Sequence, residues 1–142
     1  MSDQKLSRKK AHRSSLRRNL LKSLIVNERI ATTLTKAKYL VPFAERVFHL
    51  AQKGDLAAKQ RIESLLAGKG KAYKKLLEYW PAKIADRKSG FVKYVRLGPR
   101  KGDAAEMVIV EVIGAEAPAV LAKARTLKQK TQEEKIEKEK NA

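Results

Sequence analysis

Apolar residues recur with a helical period over most of the first 84 positions, then switch to runs typical of strands between residues 91 and 113. Leu16, Leu20 and Leu24 stand at i, i+4 and i+8, widened by Leu21 and Ile25, and predict a helix capped by Ser14 or Ser15 and running to about Val26. Arg18 and Lys22 face away from that stripe, while Arg17 falls inside its arc in the first turn, placed to emerge at the edge of a core. Residues 27–33 (NERIATT) read as a short strand. Ala37, Leu40, Val41, Ala44, Val47, Phe48 and Ala51 define the buried face of a second helix, opened by Thr33 or Thr35 and closed by Gly54. Pro42 lies inside it and predicts a kink near residues 38–41. His49 falls off the apolar stripe and reads as an ordinary surface histidine.

Asp55 caps a third helix whose inward positions are Ala58, Ile62 and Leu65. The loop Gly68-Lys69-Gly70-Lys71 leads to a fourth, with Tyr73, Leu76, Leu77, Trp80 and Ile84 on one face and Pro81 ending or kinking it. That loop does not meet the spacing of a phosphate-binding G-x-x-x-x-G-K-[ST] motif and follows no strand, which argues against a nucleotide site. Trp80 reads as core rather than as a platform for bases.

Residues 91–97 and 107–113 are rich in β-branched and aromatic side chains and form a hairpin. Its wide tip, Gly98-Pro99-Arg100-Lys101-Gly102-Asp103, holds two cations between glycines. Only Glu111 interrupts the second apolar run, so that strand is expected to be central and mostly buried on both faces. The fold class is α+β: a small three-stranded mixed sheet, built from one N-terminal strand and a C-terminal hairpin, against about four helices. Residues 1–13 are expected to form a basic extended arm, 14–113 the globular domain and 114–142 a charged tail. The tail is expected to be either frayed or helical on a partner, since so little apolar surface leaves a helix marginal alone.

Charge adds a partner to this picture. The 142 residues hold 33 Lys+Arg against 15 Asp+Glu, a net +18, far beyond what solubility requires. A polyanion follows as the partner. A membrane is set aside, because no apolar run approaches the ~20 residues of a spanning helix and the N-terminus lacks a signal-peptide core. Cysteine is absent, so there is no disulfide framework or thiolate metal site, which fits a reducing, intracellular setting. With two histidines and carboxylates scattered among cations, no catalytic or metal constellation is visible, and neither a cofactor nor a small-molecule substrate is expected.

The segments HRSSLRRNL (12–20), NERIATTLTKAKYLVPFAE (27–45) and LGPRKGDAAEMVIVEVI (97–113) together resemble the bacterial-type family of large-subunit ribosomal protein seventeen, over roughly residues 8–113. The resemblance implies an α/β fold with a three-stranded sheet, binding to 23S-type ribosomal RNA and a place on the solvent side of the large subunit, beside other large-subunit proteins. Either a bacterial cytoplasm or an organelle is compatible with it. The chain departs from the family pattern in its Met1-Ser2-Asp3-Gln4 start and in Glu106, where a proline is common.

The residues expected to reach RNA are His12, Arg13, Arg17, Arg18 and Lys22 from the arm and first helix, and Lys36 and Lys38 at the start of the second. Arg87 and Lys88 in the turn before the hairpin, Lys93 and Arg96 on opposite faces of its first strand, and Arg100 and Lys101 at its tip complete the set. The rival is an architectural nucleic-acid-binding protein outside the ribosome. No helix-turn-helix, RNP motif or zinc finger supports it, and cations dispersed over arm, helix, loops and tail suit a protein embedded among several RNA segments.

Overall fold

The computed structural model describes residues 5–114. In chain order it contains α1 (Lys10–Asn27), β1 (Arg29–Thr33), α2 (Leu34–Lys53), α3 (Leu56–Leu66), α4 (Lys71–Glu78), α5 (Trp80–Lys83), β2 (Val92–Pro99) and β3 (Glu106–Val112). The strands form one sheet in the order β1-β3-β2, so the last strand is indeed central. Both ladders are antiparallel, and this corrects the expected mixed sheet. β1 and β2 do run the same way, but β3 separates them, so no parallel pair arises. The α+β class stands.

Helices α1 and α2 pack on one face of the sheet, and α3, α4 and α5 touch α1 and α2 but no strand. Along β3 the side chains alternate: Val108, Val110 and Val112 are buried toward the helices, whereas Met107, Ile109 and Glu111 lie half-buried on the outer face. The expectation of burial on both faces is therefore corrected. No element among the described residues covers the outer face, and an antiparallel sheet can leave one face to solvent. Phe48 is the central aromatic, set edge-on to Trp80 at 5.5 Å between centroids and beside Phe91 at 6.4 Å. It thus ties α2 to α5 and to the start of β2.

The helix boundaries have local causes. Helix α1 begins at Lys10, not at a serine cap. Lys, Ala and Arg are good helix formers and nothing in Lys10–Arg13 opposes them, so the helix extends back into the arm. The chain turns ahead of it, with Leu6 and Ser7 at positive φ and Arg13 Nη1 donating to Arg8 O at 2.8 Å. The burial stripe of α1 is centred on Leu21, Leu24 and Ile25, with Leu16 and Leu20 at its edge. At the other end of α1, Glu28 N–H closes the last helical turn on Leu24 O, and two carbonyls beyond it are met from elsewhere: Trp80 Nε1 donates to Ile25 O, and Lys75 Nζ to Val26 O at 2.8 Å. Lys75 also pairs with Glu28 at 2.7 Å, which locks α4 against this terminus.

Helix α2 runs through Pro42 to Gly54, whose φ of 68° favours a residue without Cβ. Phe43 rather than Val41 is buried on its core face, while His49 is exposed as expected. Asp55 caps α3 by accepting from Ala58 N–H at 2.8 Å. Leu66, not Leu65, is its last buried position. Pro81 falls in the first turn of α5, and the helical path is divided at Tyr79 between α4 and α5. The expected tail, 114–142, lies outside the described residues except for Gly114.

Candidate nucleic-acid interface

The nominated cations occupy separate places rather than one patch. On α1, His12 is exposed and Arg13 half-buried in the first turns of the helix, so both belong to a helix rather than to an extended arm. Arg17 leans toward α2. Its guanidinium lies 4.2 Å from the Phe43 ring centroid and 5.2 Å from that of Tyr39, and its buried Nε has no hydrogen-bond partner among the described residues. Stacking on two rings restricts a long side chain while leaving its outer N–H groups to an anion. Lys36, half-buried, and Lys38, exposed, lie within one turn of Tyr39 on α2.

Arg18 turns the other way and donates from Nε to Leu65 O at 3.2 Å, so it also ties α1 to the end of α3. Lys22, with Lys71, Val26, Leu66, Gly68 and Tyr73, lines a largely apolar cavity of about 290 Å³ between α1 and the α3–α4 loop. These lining residues include no carboxylate, histidine or hydroxyl nucleophile other than the Tyr73 phenol. The loop there adds Lys69, ion-paired with Glu63 at 3.5 Å, and the exposed Lys71. These loop cations stand outside the set nominated from sequence, and two lysines beside two glycines are the signal that marks them.

The remaining nominees belong to the hairpin and its approach. Arg87 and Lys88 are exposed in the turn before β2, and Arg100 and Lys101 are exposed at the tip beyond it. A strand advances roughly 3.3 Å per residue, so the intervening strand separates the two pairs by about 25 Å. Lys93 is on the outer face of the sheet and Arg96 on the helix side, opposite faces as expected, and both are exposed. Lys93 is not a free cation: Glu111 takes its Nζ at 2.8 Å and Arg29 Nε at 3.1 Å, forming a row across all three strands.

The tip is a built turn. Arg100 N–H donates to Ala105 O at 2.8 Å, and Ala104 N–H donates to Arg100 O at 3.0 Å. The Arg100 guanidinium grips Asp103 with both arms, Nε to Oδ1 at 3.1 Å and Nη2 to Oδ2 at 2.6 Å. Those bonds, with the Ala105 N–H, hold the Asp103 carboxyl down at about 2. Lowering in the folded state means that the pair's contribution is complete above the ordinary carboxylate value of about 3.9 and is lost as pH falls toward 2. A carbon-detected NMR titration should therefore give a midpoint near 2 for Asp103, moving up toward about 3.9 in Arg100→Ala. A wild-type midpoint already near 3.9 would mean that the pair does not form.

Among the described residues no group of three or more His, Cys, Asp or Glu is arranged to hold a metal ion, and no helix is long and apolar enough to cross a membrane. What remains is a set of positioned cations on five segments, with the hairpin LGPRKGDAAEM at one end. The sequence pattern of the family described as ribosomal protein L17 matches residues 16–113. The chain belongs to that family. It is 42% identical over 113 residues to the "Large ribosomal subunit protein bL17" of Desulfitobacterium hafniense, covering 80% of this chain and all of that one. An Exiguobacterium protein of the same name is 40% identical over 117 residues, again with 80% of this chain and all of the relative covered. The bL17 of Solibacter usitatus is 40% identical, with 79% of this chain and 74% of the relative aligned. Membership of the L17 family makes this a structural ribosomal protein rather than an enzyme.

Proposed function

We propose that this L17-family chain binds large-subunit ribosomal RNA, chiefly through phosphates, and holds packed RNA segments together in the large ribosomal subunit beside neighbouring ribosomal proteins. The observation that carries the reading is the family match over 16–113, joined to a net charge of +18. The spread of cations supports it. Arg17 with Lys36 and Lys38, Lys22 with Lys69 and Lys71, Arg87 with Lys88, and Arg100 with Lys101 lie on different segments, as fits a protein that touches several stretches of backbone. Phosphate contacts position a protein without reading sequence, and mutually repelling RNA helices pack more closely when cations lie between them.

Arg18, Lys93 and Arg100 each already have a protein partner, so they contribute to order in the fold as well as to the field. The test is sedimentation of a tagged chain expressed in a bacterium. It should travel with large subunits through a high-salt wash. Release into the soluble fraction, or travel with the nucleoid, would favour an architectural nucleic-acid-binding protein outside the ribosome.

A further inference from the structure

The turn between α5 and β2 is exposed from Ala85 to Gly90, yet its two ends are fixed and its middle is strapped. Ile84 and Phe91, at the ends, are 0% and 1% exposed. Within it, Arg87 N–H donates to Ile84 O at 3.1 Å. The strap is Gln52, in the last turn of α2. Its Nε2 donates to Arg87 O at 2.7 Å and approaches Ile84 O at 3.3 Å and Ala85 O at 3.4 Å. Only the NH₂ of an amide side chain can donate to carbonyls, so these partners dictate which way the amide faces.

We propose that Gln52 is a positioning residue that presets the Arg87–Lys88 turn for an RNA phosphodiester backbone. The inference rests on the reading of this chain as an RNA-binding protein and names a residue through which that binding is organised. Ala85 and Arg87 are exposed, so water could satisfy their carbonyls if Gln52 were absent. Replacing a protein partner by water at exposed carbonyls changes stability little. What Gln52 adds is order. A turn containing Ser89 and Gly90, and carrying two long cations, would otherwise be ordered only on binding, at a cost to affinity. The chemistry of the strap suits the task. A glutamate would set a charge against three carbonyls, and a lysine would add a competing cation, whereas the amide donates and stays neutral.

The experiment compares the full chain, Gln52→Met, Arg87→Ala/Lys88→Ala and the triple variant, with purified bacterial large-subunit ribosomal RNA as the probe. Methionine keeps the length of glutamine and removes both donors. Gln52→Met should melt within a few degrees of wild type, and the amides of residues 85–90 should exchange faster. Its RNA affinity should fall about two- to tenfold in the wild-type background. In the Arg87→Ala/Lys88→Ala background it should cost nothing further, because Gln52 acts through those cations. Unchanged affinity for Gln52→Met, or the same loss in both backgrounds, overturns the positioning role, while a loss in the Arg87/Lys88 variant alone preserves the turn as an RNA contact. If that variant binds like wild type, the turn is not a contact and the proposal falls. The salt dependence of wild-type binding then reports separately whether the chain engages phosphates at all.

Discussion

Val110→Asp should abolish cooperative folding of the full chain near neutral pH. Val110 is 0% exposed at the middle of the central strand, paired with Ile30 on one side and Tyr94 on the other. Its side chain points into the apolar layer formed by α1 and α2. Burying the carboxylate charge there costs on the order of 5 kcal/mol, comparable with the whole stability of a small domain. The sign with pH is diagnostic. An apolar site raises the folded-state pKa of the new carboxyl, so the variant should regain stability as pH falls toward the unfolded value of about 3.9. Thermal melts at neutral and acid pH measure this. A neutral-pH melt within a few degrees of wild type would mean that this face of β3 is not core.

Trp80→Ala should be nearly as damaging, by about 3–5 kcal/mol. Trp80 is fully buried, stacked edge-on against Phe48 and against Tyr79 at 5.2 Å, and its Nε1 donates to Ile25 O across the end of α1. The substitution removes the largest side chain in the core and leaves a helix-terminal carbonyl without its partner. Trp80→Phe separates the two effects: most of the volume returns, the donor does not, and about 1–2 kcal/mol of the loss should remain. Urea denaturation of the three proteins reads these differences. Near-wild-type stability for Trp80→Ala would contradict the placement of this ring at the junction of α1, α2 and α5.

The arrangement explains which features were legible beforehand. Trp80 as core, Gly54 and Asp55 as helix punctuation, β3 as the central strand and the cationic hairpin tip all follow from local pattern, and each is found. The run from Met107 to Ile113 misled on one point. An apolar run reads the same whether one face or both are covered, and Met107 and Ile109 are merely half-buried beside the Arg29–Glu111–Lys93 row. Ser14 and Ser15 suggest a cap, but the preceding Lys-Ala-His-Arg carries ample helix propensity and α1 starts there, at Lys10.

The long-range clamps were invisible. Gln52 to Arg87, Lys75 to Val26 and Glu28, and Glu45, which accepts from Val92 N–H at 2.6 Å, join positions dozens of residues apart. No local period encodes such pairs. The Arg100–Asp103 pair was different: three residues apart in one turn, it could have been foreseen, and it shows that one of the two tip cations is held by its own loop.

Phosphate binding by positioned cations is tested most directly by a salt titration at the hairpin tip. Binding to large-subunit ribosomal RNA is measured for wild type, Arg100→Ala/Lys101→Ala and a charge-matched control, Lys138→Ala/Lys140→Ala, whose sites lie outside the described residues. The tip cations are carried on a turn closed by backbone hydrogen bonds and, at Arg100, by Asp103, so they lose less freedom on binding than cations without such support. The tip variant should fold like wild type, and the magnitude of its slope of log K against log salt should be smaller by about 0.7–0.9 per lost contact, somewhat under 2 for the pair. The control should change the slope and the affinity less. Equal losses from the two pairs, or an unchanged slope at the tip, would contradict the account.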